Sequence, residues 1–167
     1  MTDDPHIVRT AGLDWSQVWR GRHPFNPASE MQLNSLSGQT GMKRVGVHLM
    51  RIPAGKESFI PHAHAVQEEF VFILDGVGQV VLDGVGHPIG PGDFVGFPTD
   101  GVVHSLKATG PGDLIYLTGG ESGPVEVAEM PSIGKTAVFR DGHMTLYDRD
   151  GAEALTQAEW MARTKID

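Results

Sequence analysis

The stretch His62-Ala-His64-Ala-Val-Gln-Glu-Glu69-Phe-Val-Phe-Ile-Leu-Asp-Gly76 decides how this chain is read. In a strand, residues two apart point to the same side, so His62 and His64 present two parallel imidazoles. Glu69 stands at an odd spacing from both and would face away on one continuous strand. The polar turn Ala65-Val-Gln-Glu68 lets the chain reverse, which returns Glu69 to the shared face at the head of the next strand. A later segment, Gly92-Asp-Phe-Val-Gly-Phe-Pro98-Thr-Asp-Gly101-Val-Val-His104, supplies a third imidazole. Singly, each of these residues is ordinary: a His-x-His pair most often lies on a surface, and a Glu-Glu pair before an apolar run is usually a solvated strand end. Together, His62, His64, Glu69 and His104 make a nitrogen and oxygen donor set suited to a divalent first-row metal. With octahedral geometry, two positions stay open for water, substrate or dioxygen.

Around this stretch the pattern is that of many short strands. Met31 and Leu33 alternate with polar residues, and Val45–Ile52 places His48, Met50 and Ile52 on one face and Val45, Val47 and Leu49 on the other. Strand signals recur at 69–74, 79–82, 93–97, 103–106 and 114–117. Turn formers separate them, including Asp75-Gly76, Asp83-Gly84 and Gly90-Pro91-Gly92. Such spacing predicts an all-β sandwich or barrel. Residues 137–139 and 144–147 read as a hairpin around Arg140-Asp141-Gly142. At the C-terminus Thr156 and Glu159 form a capping box, with Leu155 and Trp160 as its hydrophobic staple, which predicts a short helix. At the other end, Trp15, Val18 and Trp19 have the spacing of one helix face, before Pro24 and Pro27 break any regular element. The expected organisation is an N-terminal arm over 1–30, a barrel over 31–120 and an extension over 121–167 packed on the barrel.

Composition narrows the function. The chain has 167 residues and a formal charge of -8, so no basic face invites nucleic acid. It has no cysteine, which excludes disulfides, thiolate catalysis and Cys-bound zinc or iron–sulfur centres. The first residues are polar, and the longest apolar run, Phe70 to Leu74, is far too short to span a bilayer. A cytoplasmic protein without membrane or nucleic-acid partners is the expectation.

The two segments resemble the motifs of the cupin superfamily. The first reads Gly55, six residues, His62-Ala-His64, four residues, Glu69, six residues, Gly76. The gap to Gly76 makes Glu69, rather than Glu68, the family-like ligand. The second reads Gly92, five residues, Pro98, two residues, Gly101, two residues, His104, with Ala108 where the family has Asn. Single-residue insertions precede His62 and Gly101. The resemblance implies a double-stranded β-helix, or jelly-roll, barrel, to which the residues add a short C-terminal helix and an N-terminal arm. It also implies a homodimer and a divalent ion (iron, manganese, nickel or zinc) on His62, His64, Glu69 and His104.

The implied chemistry is that of a small-molecule enzyme, either dioxygenase-like or an isomerase of a sugar or hydroxy-carbonyl compound. The alternative is a non-catalytic small-molecule or metal-binding and sensing protein. His48 is the one further strand histidine with a chance of facing the cavity as an acid or base. Phe59, Phe72, Phe94 and Phe97 are expected in the core or the pocket wall.

Overall fold

A computed structural model describes residues 4–163 of the chain. The arm does not form the helix face expected from Trp15, Val18 and Trp19. Asp14 instead caps a single 3-10 turn, Trp15–Gln17, by accepting the Ser16 N–H at 2.9 Å. Trp19 then enters strand β1 (Trp19–Gly21), which pairs with β2 (Met31–Ser35), Trp19 lying opposite Leu33. An isolated helix of this length is not self-sustaining, whereas the ladder pairs the same backbone groups with a neighbour.

Helix α1 (Leu36–Thr40) follows, capped by Ser35 and ended by Gly41 in the left-handed region. The remaining elements are almost all strands: β3 (Val45–Ile52), β4 (Ala63–His64), β5 (Glu69–Asp75), β6 (Gly78–Leu82), β7 (Val85–Ile89) and β8 (Phe94–Phe97). They continue with β9 (His104–Ala108), β10 (Leu114–Glu121), β11 (Val125–Met130), β12 (Lys135–Arg140) and β13 (His143–Asp148), before helix α2 (Gln157–Arg163).

The strands build two walls. One is a six-stranded sheet in the order β1-β2-β3-β10-β5-β8. The other combines the orders β13-β12-β11-β4 and β7-β6-β9. A bridge between His62 and His104 joins those two sheets. The His62 N–H donates to the His104 carbonyl at 3.1 Å, and the His104 N–H returns the bond at 2.8 Å. Pairing is antiparallel throughout these sheets, and the architecture is the expected jelly-roll barrel.

The core lies between the walls. Met50 and Ile52 of β3, Val71 and Ile73 of β5, and Leu114 and Tyr116 of β10 all point inward. Each fully buried apolar side chain contributes about 1.5–3 kcal/mol. Phe97 belongs to this core, as expected, but Phe72 and Phe94 do not. They stand on the outer face of the first sheet, 37% and 64% exposed, because the period of two that buries Val71 and Ile73 turns their neighbours out.

Gly76 ends β5 at φ 82°, and a Cβ there would lie 2.0 Å from the Asp113 carbonyl oxygen. Only glycine fits this turn, which fixes how far Glu69 stands from the end of its strand.

Residues after 120 do more than cover the barrel. Strand β11 pairs with β4, placing Ala128 opposite His64, and β12 and β13 extend that wall. The capping box forms as expected. The Thr156 N–H donates to Glu159 Oε2 at 2.7 Å, and the Glu159 N–H donates to Thr156 Oγ1 at 3.2 Å. No residue of α2 is buried. No helix among the described residues is long and apolar enough to cross a membrane.

Candidate metal centre

Three separate strand ends deliver the four predicted donors to one place. His62 and His64 come from the strand that bridges to β9 and pairs with β11, Glu69 opens β5, and His104 opens β9. One donor atom from each lies within 4.8 Å of all the others. The imidazole centroids of His62 and His104 are 4.6 Å apart, and that of His64 lies 5.0 and 5.4 Å from them. Glu69 faces inward with Val71 and Ile73, and the turn after His64 carries the chain from the second wall to the first, which brings the carboxylate back to the histidines.

The ring nitrogens are sorted by their partners. His62 Nδ1 lies 2.8 Å from the Ile60 carbonyl oxygen, and His104 Nδ1 lies 3.2 Å from that of Val102. A carbonyl only accepts, so Nδ1 carries the proton in both rings and the Nε2 lone pair points into the site. His104 Nε2 is buried and has no hydrogen-bond partner among the described residues. A buried imidazole acceptor left open in this way costs free energy unless something coordinates it. A divalent cation fits that requirement, and the three imidazoles and one carboxylate are the donor types it takes.

Charge follows the same geometry. Burial, with His104 close by, pushes the His62 pKa down to about 4, so the ring is neutral and ligand-ready at pH 7. Burial alone would raise the Glu69 carboxyl. Its contacts with His104, His64 and Thr118 outweigh that and hold it well below the usual carboxylate range. Burial would lower His64, but Glu69 at 3.0 Å, with Glu126 behind it, raises it.

Two residues of the site were not foreseen. The Thr118 hydroxyl donates to Glu69 Oε1 at 2.6 Å, which aims Oε2 at the histidines. Glu126 of β11 is 8% exposed, and its Oε1 stands 3.5 Å from His64 Nδ1. Neither of its carboxylate oxygens has a hydrogen-bond partner among the described residues. A carboxylate behind a metal-bound histidine fixes the ring and raises its basicity.

His48 does face inward, opposite Thr118 across the β3–β10 ladder, with its Nδ1 buried and without a hydrogen-bond partner among the described residues. It is not among the residues that line the cavity. Burial lowers its pKa, against a smaller opposing pull from Glu69.

The donors open into a cavity of about 430 Å³. Phe97 stacks on His104 at 3.8 Å and 9°, forming one wall. The mouth is formed by His23, Pro24 and Phe25 of the arm, by Phe59, and by Phe139 and Met144 of the β12–β13 hairpin.

Two consequences are testable on metal-free protein or by metal titration. Because the folded His62 pKa is depressed, its stabilising effect is present above the unfolded value of 6.5 and is lost as pH falls toward 4. Between pH 6.5 and 5 this amounts to about 2 kcal/mol. Glu69 begins to act only below 4.5, and His64, shifted upward, acts above 6.5. Thermal melts of metal-free protein across that window should fall less in His62→Gln than in wild type, and parallel curves would contradict the assignment.

Glu126→Gln should weaken metal binding about tenfold or more in a chelator competition. The variant should lower the melting temperature little, because the buried carboxylate it removes makes no hydrogen bond among the described residues and has only the 3.5 Å approach to His64. Unchanged affinity would show that Glu126 does not act on His64.

Residues 48–120 match the family model of the cupin domain. A protein from Acidithiobacillus ferrooxidans, provisionally named a sugar phosphate isomerase, is similar in structure with a TM-score of 0.85 and 29% identity. That similarity covers 92% of this chain and 98% of the other. A sugar phosphate isomerase of the cupin superfamily from Silicibacter pomeroyi aligns with a TM-score of 0.73 and 25% identity, covering 88% and 98% of the two chains. Among curated proteins, none matches the sequence significantly.

Proposed function

Because this chain belongs to the cupin superfamily, we propose that His62, His64, Glu69 and His104 hold one divalent transition-metal ion, and that the protein is a metal-dependent enzyme acting on a small hydroxy-carbonyl compound. The observation that carries this reading is the convergence of four donor atoms around His104 Nε2, which is buried and has no hydrogen bond among the described residues, with Glu69 Oε2 3.5 Å away. Isomerisation is the favoured reaction, supported by the two full-length structural relatives named as sugar phosphate isomerases.

When bound, the ion would supply Lewis-acid polarisation of a substrate carbonyl or alkoxide. The protein's own part is positional. Thr118 fixes Glu69, Glu126 backs His64, and Phe97 clamps the His104 ring. The apolar walls shield the reacting centre from water, which strengthens every charge interaction inside it.

A second reading, oxidation with dioxygen, is favoured by that same apolar cavity beside three histidines and one carboxylate. Elemental analysis of protein purified without chelator or added metal separates the two. Zinc at full occupancy supports isomerisation and rules against oxidation. Iron together with oxygen uptake on a panel of diols, diketones and hydroxy acids supports oxidation. Protein that binds no transition metal overturns both.

A further inference from the structure

The names carried by the structural relatives point to a phosphorylated sugar, and the cavity of this chain does not suit one. Among the described residues, no lysine or arginine lines it. Several cations of the barrel are already paired: Lys107 with Glu57 at 2.8 Å, Arg51 with Asp113 at 2.5 Å, and Arg149 with Glu129 at 2.9 Å. A phosphate brought inside, beyond reach of the ion, would lose its water with no guanidinium or ammonium of the lining to replace it. Glu126, buried behind His64, adds negative charge to the same wall.

A sugar ring fares little better. Of the hydroxyls on the cavity wall, Ser58 Oγ is engaged by the Leu106 N–H at 2.9 Å, and that of Thr118 is given to Glu69. Tyr116 and Ser105 are left to serve a polyol.

The surfaces that are present favour a different body. An aromatic path runs from the mouth to the donors: His23 meets Phe25 and Phe59, each at 5.8 Å, and Phe59 meets His62 at 6.1 Å. In the second wall a row passes from Glu126 to Phe139 and on to Met144, directly paired across β11, β12 and β13, and Phe139 and Met144 line the same cavity as Phe59. Phe25, Phe59, Phe139 and Met144 are 43%, 39%, 41% and 54% exposed, so apolar surface rims the opening. At the donor end, an ion of charge two set against the Glu69 carboxylate leaves one positive charge for the substrate to match.

We infer that the substrate is an unphosphorylated, bidentate oxygen chelator of at most one negative charge, carrying an apolar or aromatic body that lies between Phe59 and the Phe139–Met144 hairpin. This rests on the metal reading above. The volume of about 430 Å³ lies at the small end of small-molecule sites, about 300–1,000 Å³. It therefore suits a chelating head with one ring or short chain.

The test is calorimetric titration of metal-loaded protein, its ion content measured in the same sample, with pyruvate, 3-phenylpyruvate and fructose 6-phosphate. The first two share a chelating head and differ by a phenyl group. Phenylpyruvate should bind about ten- to a hundredfold more tightly than pyruvate, and fructose 6-phosphate should bind no more tightly than pyruvate. Phe139→Ala and Met144→Ala, both at the exposed rim, should each shrink the phenyl advantage, read as the ratio of the two keto-acid affinities within the same variant.

Equal affinities for the two keto acids, or a preference for the sugar phosphate, with one ion bound per chain, overturns this inference alone. A phenyl advantage that neither rim variant changes overturns the placement of the body. Protein that holds no ion overturns the metal reading first and this inference with it.

Discussion

His104→Ala, and equally His62→Ala, should bind its divalent ion at least a hundredfold more weakly than wild type in a chelator competition. Loss of a residue that merely supports a ligand typically costs ten- to a hundredfold, and these residues supply the donor atom itself. The two rings are held by the backbone that also joins the sheets of the second wall, through the paired bonds between His62 and His104. Alanine keeps those backbone bonds, so the fold should survive while the site fails. His104→Ala also removes the stacking partner of Phe97 and leaves a cavity, so a modest fall in melting temperature is expected with it. His62→Ala isolates the donor effect more cleanly, because the half-buried His62 ring takes no part in the hydrophobic core. Unchanged metal stoichiometry and affinity in both variants would remove these residues from the site.

Phe97→Ala should be the most destabilising single truncation in the barrel, by about 3–5 kcal/mol. The side chain is 2% exposed, belongs to the main core cluster, and lies cross-strand from Glu69 on the β5–β8 ladder. Its ring is nearly parallel to that of His104 at 3.8 Å. Truncation therefore removes apolar burial and leaves His104 free to turn. The expected melting temperature is lower by roughly 10 °C, with a weaker metal affinity in the variant that remains folded. Phe97→Leu keeps most of the volume but loses the flat face, so it should recover stability better than metal affinity. Should both variants bind the ion as wild type does, the stack contributes packing and nothing to the donors.

The residues that signal chemistry by their spacing were legible in the chain. His-x-His and the polar turn follow from strand periodicity and turn geometry, whereas the run to Gly76 that singles out Glu69 was legible only through the resemblance to the cupin motif; a Cβ at Gly76 would meet the Asp113 carbonyl. The barrel was legible because turn formers recur between short apolar runs.

What escaped reading escaped for physical reasons. Strand β11, Val125-Glu-Val-Ala-Glu-Met130, was not among the expected strands, and Glu126, Ala128 and Met130 rather than the valines are its buried set. The small Ala128 opposite His64 sets that register. Burial of Ala128 and Met130 at even spacing from Glu126 was the signal that could have found it, and it depends on knowing the partner strand. Strand β7, Val85-Gly-His-Pro-Ile89, gave no apolar alternation because four of its five residues are exposed on an edge. Thr118 is one hydroxyl in a strand, and nothing local distinguishes it from any other.

The central claim is that four donors on three strand ends hold one divalent ion, and one measurement addresses it directly. Crystals of protein purified without chelator, with data collected on either side of the absorption edge of the metal found by elemental analysis, should show a single anomalous peak per chain. It should lie within coordination distance of the Nε2 atoms of His62, His64 and His104 and of a Glu69 carboxylate oxygen. A peak at any other residues, or none in protein carrying one ion per chain, would contradict the assignment.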